Sequence, residues 1–189
     1  MKLKKRQISD VIWIVLAFLL LFTPLGFYAR VKVMRLFSFS PEIEKKESYT
    51  KLQNYNWNII SIDGRQENLS KSSDSIIVLN FWATWCPPCV AEMPSFIKLH
   101  KDYKDKVKFV FLASDEKEKV SAYLEKNAYN IPVFFDPNRA VRPRILDASS
   151  LPTTYVIDKS GNILIKEIGF ADWNSEKVRT LLDSLLVAP

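Results

Sequence analysis

From Val78 to Pro94 the chain reads VLNFWATWCPPCVAEMP. Its first part belongs to the run Ile76 to Trp82 (IIVLNFW), apolar except for one asparagine, the pattern of a strand buried on both faces. A helical pattern follows from Pro87 to about Lys104. Cys86 then falls at the helix N-terminus, where unpaired backbone N–H groups and the positive dipole end stabilise a thiolate, the nucleophilic form of cysteine. Cys89 lies one turn later, within reach of a mixed disulfide on Cys86. Pro87 and Pro88 suit this place because the first helical turn has no use for their missing N–H groups. These are the two cysteines of a 189-residue chain, so a structural disulfide framework is excluded. The pair either carries thiol–disulfide chemistry or holds a metal.

Strand-like and helix-like segments alternate on both sides of this stretch. Trp57 to Ile62, ending at Asp63-Gly64, predicts a strand and turn; Val107 to Ala113 a buried strand; Glu116 to Asn127 a helix; and Pro132 to Phe135 a short strand. Thr153 to Ile157 and Asn162 to Ile168 flank the turn Asp158-Lys159-Ser160-Gly161, and Ser175 to Val187 predicts a last helix. The sum is an α/β sandwich.

The net charge of +6 does not mark a nucleic-acid protein. Lys2, Lys4, Lys5, Arg6, Arg30, Lys32 and Arg35 stand against Asp10 alone, and residues 36–189 hold 20 basic and 20 acidic side chains. A duplex-binding domain needs its basic excess on the folded part. Here the excess brackets Val11 to Ala29, nineteen residues without a charge, which predicts a transmembrane anchor over 11–29 behind a tail of residues 1–10. The run is longer than the apolar stretch of a usual cleaved signal, and Phe27 breaks the small-residue pattern before Ala29. With no cysteine after the run, a lipid-modified cysteine there is excluded. Pro24 and Gly26 would weaken a helix in water and are tolerated in lipid. Basic residues are nearly balanced on the two sides, so charge alone does not orient the anchor. Residues 30–54, with their mixed charges, read as a juxtamembrane stalk, and the domain proper is expected over 55–187.

Phe81-Trp82-Ala83-Thr84-Trp85-Cys86-Pro87-Pro88-Cys89, Glu92-Met93-Pro94 and Leu151-Pro152-Thr153-Thr154-Tyr155-Val156-Ile157-Asp158 together resemble the membrane-tethered TlpA/ResA-like reductases, over about residues 55–187. The resemblance implies a thioredoxin-like fold, a central mixed sheet flanked by helices, on the extracytoplasmic side of a bacterial membrane with the amino terminus in the cytoplasm. It implies a redox disulfide Cys86–Cys89, and a cis peptide bond before Pro152, which composition alone would make trans. Leu151 would lend its backbone to an incoming peptide, and Trp85, Pro87 and Pro88 would complete the surface that receives a partner protein. Where many thioredoxins carry a buried aspartate, this chain has Asn80, which cannot accept a proton. Glu92, three residues past Cys89, matches an acidic residue of the family and is the expected proton acceptor for Cys89; the plainer alternative is a solvated first-turn acid.

The expected function is thus reduction of disulfides in envelope proteins, apocytochrome c being one substrate class the resemblance suggests, with re-reduction by an electron-carrying membrane protein. No cofactor is expected. An oxidase or isomerase role is the alternative within the redox class. The rival from another class is a metal-binding chaperone using the two thiolates, but with one histidine, His100, the donors fall short of the four ligands of a closed zinc site. His100 is assigned no role, and no metal site is expected.

Overall fold

The computed structural model describes residues 5–187. In chain order its elements are α1 (Lys5–Phe22), α2 (Pro24–Leu36), β1 (Thr50–Lys51), β2 (Asn58–Ser61), β3 (Gln66–Asn68), β4 (Ile77–Trp82), α3 (Pro87–Tyr103), β5 (Lys108–Ala113), α4 (Lys117–Asn127), β6 (Val133–Phe135), β7 (Thr153–Ile157), β8 (Asn162–Ile168) and α5 (Glu176–Val187), with three short 3₁₀ turns. The strands form one mixed sheet in the order β1-β8-β7-β4-β5-β6-β2-β3. β4, β5 and β6 run parallel through the crossovers α3 and α4, while β7 pairs antiparallel with β4 and β8. This is the thioredoxin-like arrangement.

Residue parity along β4 divides the core. Ile77, Leu79 and Phe81 join Trp57, Leu69, Val110, Leu112, Leu146 and Tyr155 on one face. On the other, Val78 and Trp82 meet Cys89, Met93, Phe96 and Leu99 of α3, Val120 of α4, and Val178 and Leu182 of α5. Successive strand residues point to opposite faces, so Asn80, fully buried, must also face α3.

The expected single helix over 11–29 is instead broken. Thr23 caps α2 by accepting from the Gly26 N–H at 3.2 Å, Pro24 takes the first helical position, and the two helices meet at a bend of 77°. Thr-Pro is a helix-start signal, and here it outweighs the continuous apolarity of the run. Gly26 permits the close turn, since a Cβ there would lie 2.0 Å from the Leu20 carbonyl oxygen. Among the described residues no single helix is long and apolar enough to cross a membrane; the bent pair passes that test jointly. Of the expected tail over 1–10, residues 1–4 lie outside the described residues, and Lys5 already belongs to α1.

Residues 30–54, read as a stalk, are laid along the domain. Asp172 N–H donates to the Phe39 carbonyl at 2.8 Å, Glu44 N–H to Leu164 at 2.9 Å, and Leu52 N–H to Gly161 at 2.8 Å. β1 adds a strand beside β8. Gly161, at φ +86°, has the Leu52 carbonyl oxygen 2.8 Å from where a Cβ would sit, so this approach requires glycine.

Candidate active site

β4 ends at Trp82, and the chain leaves the sheet through Ala83-Thr84-Trp85 into α3. That turn is tied to the neighbouring strand end. Ser114 N–H donates to the Trp82 carbonyl at 2.8 Å, Thr84 N–H to Asp115 Oδ2 at 3.1 Å, and the Thr84 hydroxyl also donates to Asp115. Cys86 is the N-cap of α3, in extended conformation. Because Pro87 and Pro88 occupy the next two positions, the first backbone N–H the helix offers is that of Cys89, and it points at Cys86 Sγ, 3.3 Å away. The two prolines therefore leave the first N-terminal donor aimed at Cys86 Sγ, where it would favour a thiolate on reduction.

Cys86 and Cys89 form the disulfide, with Cα atoms 5.3 Å apart. Cys86 retains 4% exposure and Cys89 none, while Trp85 beside them is 61% exposed. Pro87 and Pro88 are half-buried. The Leu151–Pro152 peptide is cis. In the β4–β7 register Phe81 lies opposite Thr153, which brings Pro152 to the end of β4 from which Cys86 departs. Gly169 N–H donates to the Pro152 carbonyl at 2.9 Å and fixes that loop.

Glu92 is no solvated acid. It is 2% exposed and turned inward beneath the cysteines, where its two oxygens accept three hydrogen bonds. Asn80 Nδ2 donates to Oε1 at 2.9 Å; Trp173 Nε1 and Ala171 N–H donate to Oε2 at 2.9 and 3.3 Å. Burial pushes the carboxyl up to about 8 against the opposing pull of these donors, and the Glu167 carboxylate adds to the rise. Asn80 also donates to Thr154 Oγ1 at 2.8 Å, joining Glu92 to the strand that follows Pro152. Trp173 is held in turn by stacking on Phe96 at 4.9 Å and by a bond from its backbone N–H to Ser95 Oγ at 3.1 Å.

Of the residues predicted from sequence, Cys86, Cys89, Glu92, Trp85, Pro87 and Pro88 thus lie on or beside the first turns of α3, and Leu151 and Pro152 come to the same sheet end. Sequence reasoning takes Asn80 only for what it lacks and misses its part as a donor to Glu92. It also misses Trp173, 81 residues from Glu92; the available hint is that a buried indole N–H seeks an acceptor. His100 lies half-buried with its ring edge-on to Phe109 at 5.1 Å, and burial lowers its pKa. A cavity of about 800 Å³ lies on another side, lined among others by Arg65, Glu67, His100 and Lys101 and by none of the predicted site residues. Among the described residues no three His, Cys, Asp or Glu side chains are grouped to hold a metal ion.

A buried strand that delivers a Cys-x-x-Cys disulfide to a helix N-terminus, opposite a cis proline, defines a thioredoxin-like thiol–disulfide oxidoreductase. Residues 44–165 match the AhpC/TSA family, to which the chain belongs. The thioredoxin-like protein YneN of Bacillus subtilis is 32% identical over 127 residues, 65% of this chain and 72% of that protein. The thiol-disulfide oxidoreductase ResA of Bacillus cereus is 33% identical over 116 residues, 60% of this chain and 66% of its own length. Among solved structures, a putative thiol:disulfide interchange protein DsbE from Chlorobium tepidum superposes with a TM-score of 0.61 at 25% identity, covering 74% of this chain and 99% of that one. The chain is a TlpA/ResA-like oxidoreductase, a class that acts on disulfides of proteins.

Proposed function

We propose that the chain reduces disulfides of envelope proteins outside the bacterial cytoplasmic membrane, apocytochrome c among them, through its Cys-Pro-Pro-Cys dithiol. The observation that carries this reading is the buried Glu92 carboxyl under the cysteine pair, with a proton affinity close to ambient pH. In the forward direction Cys86 thiolate attacks the partner's disulfide and expels one partner thiolate, leaving a mixed disulfide. Cys89 then gives its proton to Glu92, attacks Cys86 Sγ and releases the second partner thiolate, so two electrons leave the dithiol and the Cys86–Cys89 bond forms. In the return direction a membrane dithiol donor attacks Cys86. Cys89 is then the leaving group, and a protonated Glu92, its main form at neutral pH in the oxidised chain, supplies the proton.

The location rests on the N-terminal helices. Trp13, Ile14, Phe18 and Phe22 of α1 are each more than half exposed, and a helix showing that much apolar surface calls for lipid around it. The basic residues bracketing the apolar run agree with this.

Two measurements test the proposal together. Equilibration against glutathione and dithiothreitol buffers should place the potential near that of thioredoxin, about −270 mV, and a value near −120 mV would make the protein an oxidant. In native membranes Cys89→Ala should accumulate dithiothreitol-sensitive complexes and Cys86→Ala few. Trapped partners bearing Cys-x-x-Cys-His haem sites would support cytochrome maturation.

A further inference from the structure

Pro94 lies inside α3 and has no N–H for the carbonyl of Val90, four residues back; its ring also pushes that carbonyl off the helix axis. A carbonyl freed in this way in a packed region needs another donor. It finds one outside the sheet-and-helix body. Arg35, in the last turn of α2, places Nη2 3.1 Å from the Val90 carbonyl oxygen and Nε 3.3 Å from that of Ala91. Two donors of one planar guanidinium thus serve adjacent carbonyls, an arrangement lysine cannot copy in full. α2 is held there by packing as well: Val31, 3% exposed, contacts the cluster of Val90 and Ala91, bordered by Phe27, Met34 and Tyr123, and Lys126 Nζ donates to the Tyr28 hydroxyl at 3.0 Å.

We propose that Arg35 is a positioning residue of the redox centre: it stands in for the N–H missing at Pro94, and through it α2 braces the two turns that carry Cys86, Cys89 and Glu92. The membrane-side helix is on this account a structural member of the active site. The bond requires α2 to stay docked, so the orientation of the cysteine pair relative to the N-terminal helices is fixed as well. The guanidinium also brings a positive charge to turns that must stabilise a thiolate.

The test uses the full chain in detergent, reduced, with Cys89→Ala so that Cys86 alone reacts. Arg35→Met keeps an apolar stem and removes both donors and the charge. It should raise the Cys86 thiol pKa and slow alkylation at pH 7 roughly two- to five-fold, and Arg35→Lys should recover part of the loss. The deciding arm is a double-mutant cycle. Pro94→Ala restores an N–H for the Val90 carbonyl, so in that background the effects of Arg35→Met on alkylation and on the melting midpoint should each shrink by at least half. Equal effects of Arg35→Met with and without the Pro94→Ala substitution would mean that Arg35 merely anchors α2, and would overturn the proposal. Alkylation within about 1.5-fold of the parent in Arg35→Met would overturn it too. Because alkylation needs no partner protein, these outcomes stand apart from whether the chain reduces envelope disulfides.

Discussion

The two faces of β4 share out its six residues, three to each, and do opposite things. Ile77, Leu79 and Phe81 face a cluster closed by Trp57, Leu69, Leu146 and Tyr155, and the contacts there are apolar and aromatic, such as Phe81 against Trp57 at 6.4 Å and Tyr155 at 6.3 Å. Val78, Asn80 and Trp82 face α3, and here the core holds a carboxyl, an amide, a threonine hydroxyl and an indole N–H bonded together beneath a disulfide. Burying polar groups costs desolvation free energy that their mutual hydrogen bonds only offset. The helix face accepts that cost where the cysteines lie. The other face confines its polar bonds to the Trp57 indole N–H on Asp136 and the Tyr155 hydroxyl on the Asp147 carbonyl, and is otherwise apolar.

The largest effect expected from this contrast is on the apolar face. Phe81→Ala removes a ring that is 2% exposed and should lower unfolding stability by about 3–5 kcal/mol in a denaturant titration, while the alkylation rate of Cys86 in the folded fraction stays within about twofold. A comparable loss of thiol reactivity would show that the faces are not independent.

The next lies on the helix face and concerns pH. Glu92 in the folded, oxidised chain is raised to about 8, above the ordinary glutamate value of 4.5 that serves for the unfolded chain. The folded state therefore binds the extra proton between these values, and its contribution to stability is complete below the unfolded value and lost as pH rises through 8. Stability should fall by roughly 3 kcal/mol from about pH 5 to about pH 8, with Glu92→Gln removing most of that slope. A slope unchanged by Glu92→Gln would assign the proton to another group.

The smallest effect separates shape from hydrogen bonding. Trp173→Phe preserves a ring to stack on Phe96 and deletes the Nε1 donor to Glu92 Oε2. Loss of a donor to the charged form should raise the Glu92 pKa further, moving the upper end of the stability slope to higher pH by about half a unit to one unit, with a stability loss of about 1–2 kcal/mol. An unmoved slope would mean that Trp173 serves packing alone.

Most of the framework is legible in the sequence because its signals are local. The apolar run before the cysteines, the prolines after Cys86 and the alternation of periods place β4, α3, β5, α4, β7, β8 and α5 within one residue of their observed bounds. β1 and β3, two and three residues long, have no period to detect and exist through the strands they border. Thr23-Pro24 is legible as a helix start, but inside a long apolar run it reads as a tolerated irregularity. For Glu92 the spacing from Cys89 defines the stripe of α3 without saying that this stripe faces the sheet. Trp173 and Arg35 reach the site across 81 and 55 residues of chain, so nothing near them in sequence marks their roles.

The sheet terminates on one side in β1, two exposed residues including Lys51, and on the other in β3, Gln66-Glu67-Asn68. An unpaired strand edge is a template on which another extended chain can add itself. An oxidoreductase that engages other polypeptides while their own strands are open is exposed to that hazard at every encounter. Borders this short and this polar give such a chain little to register against.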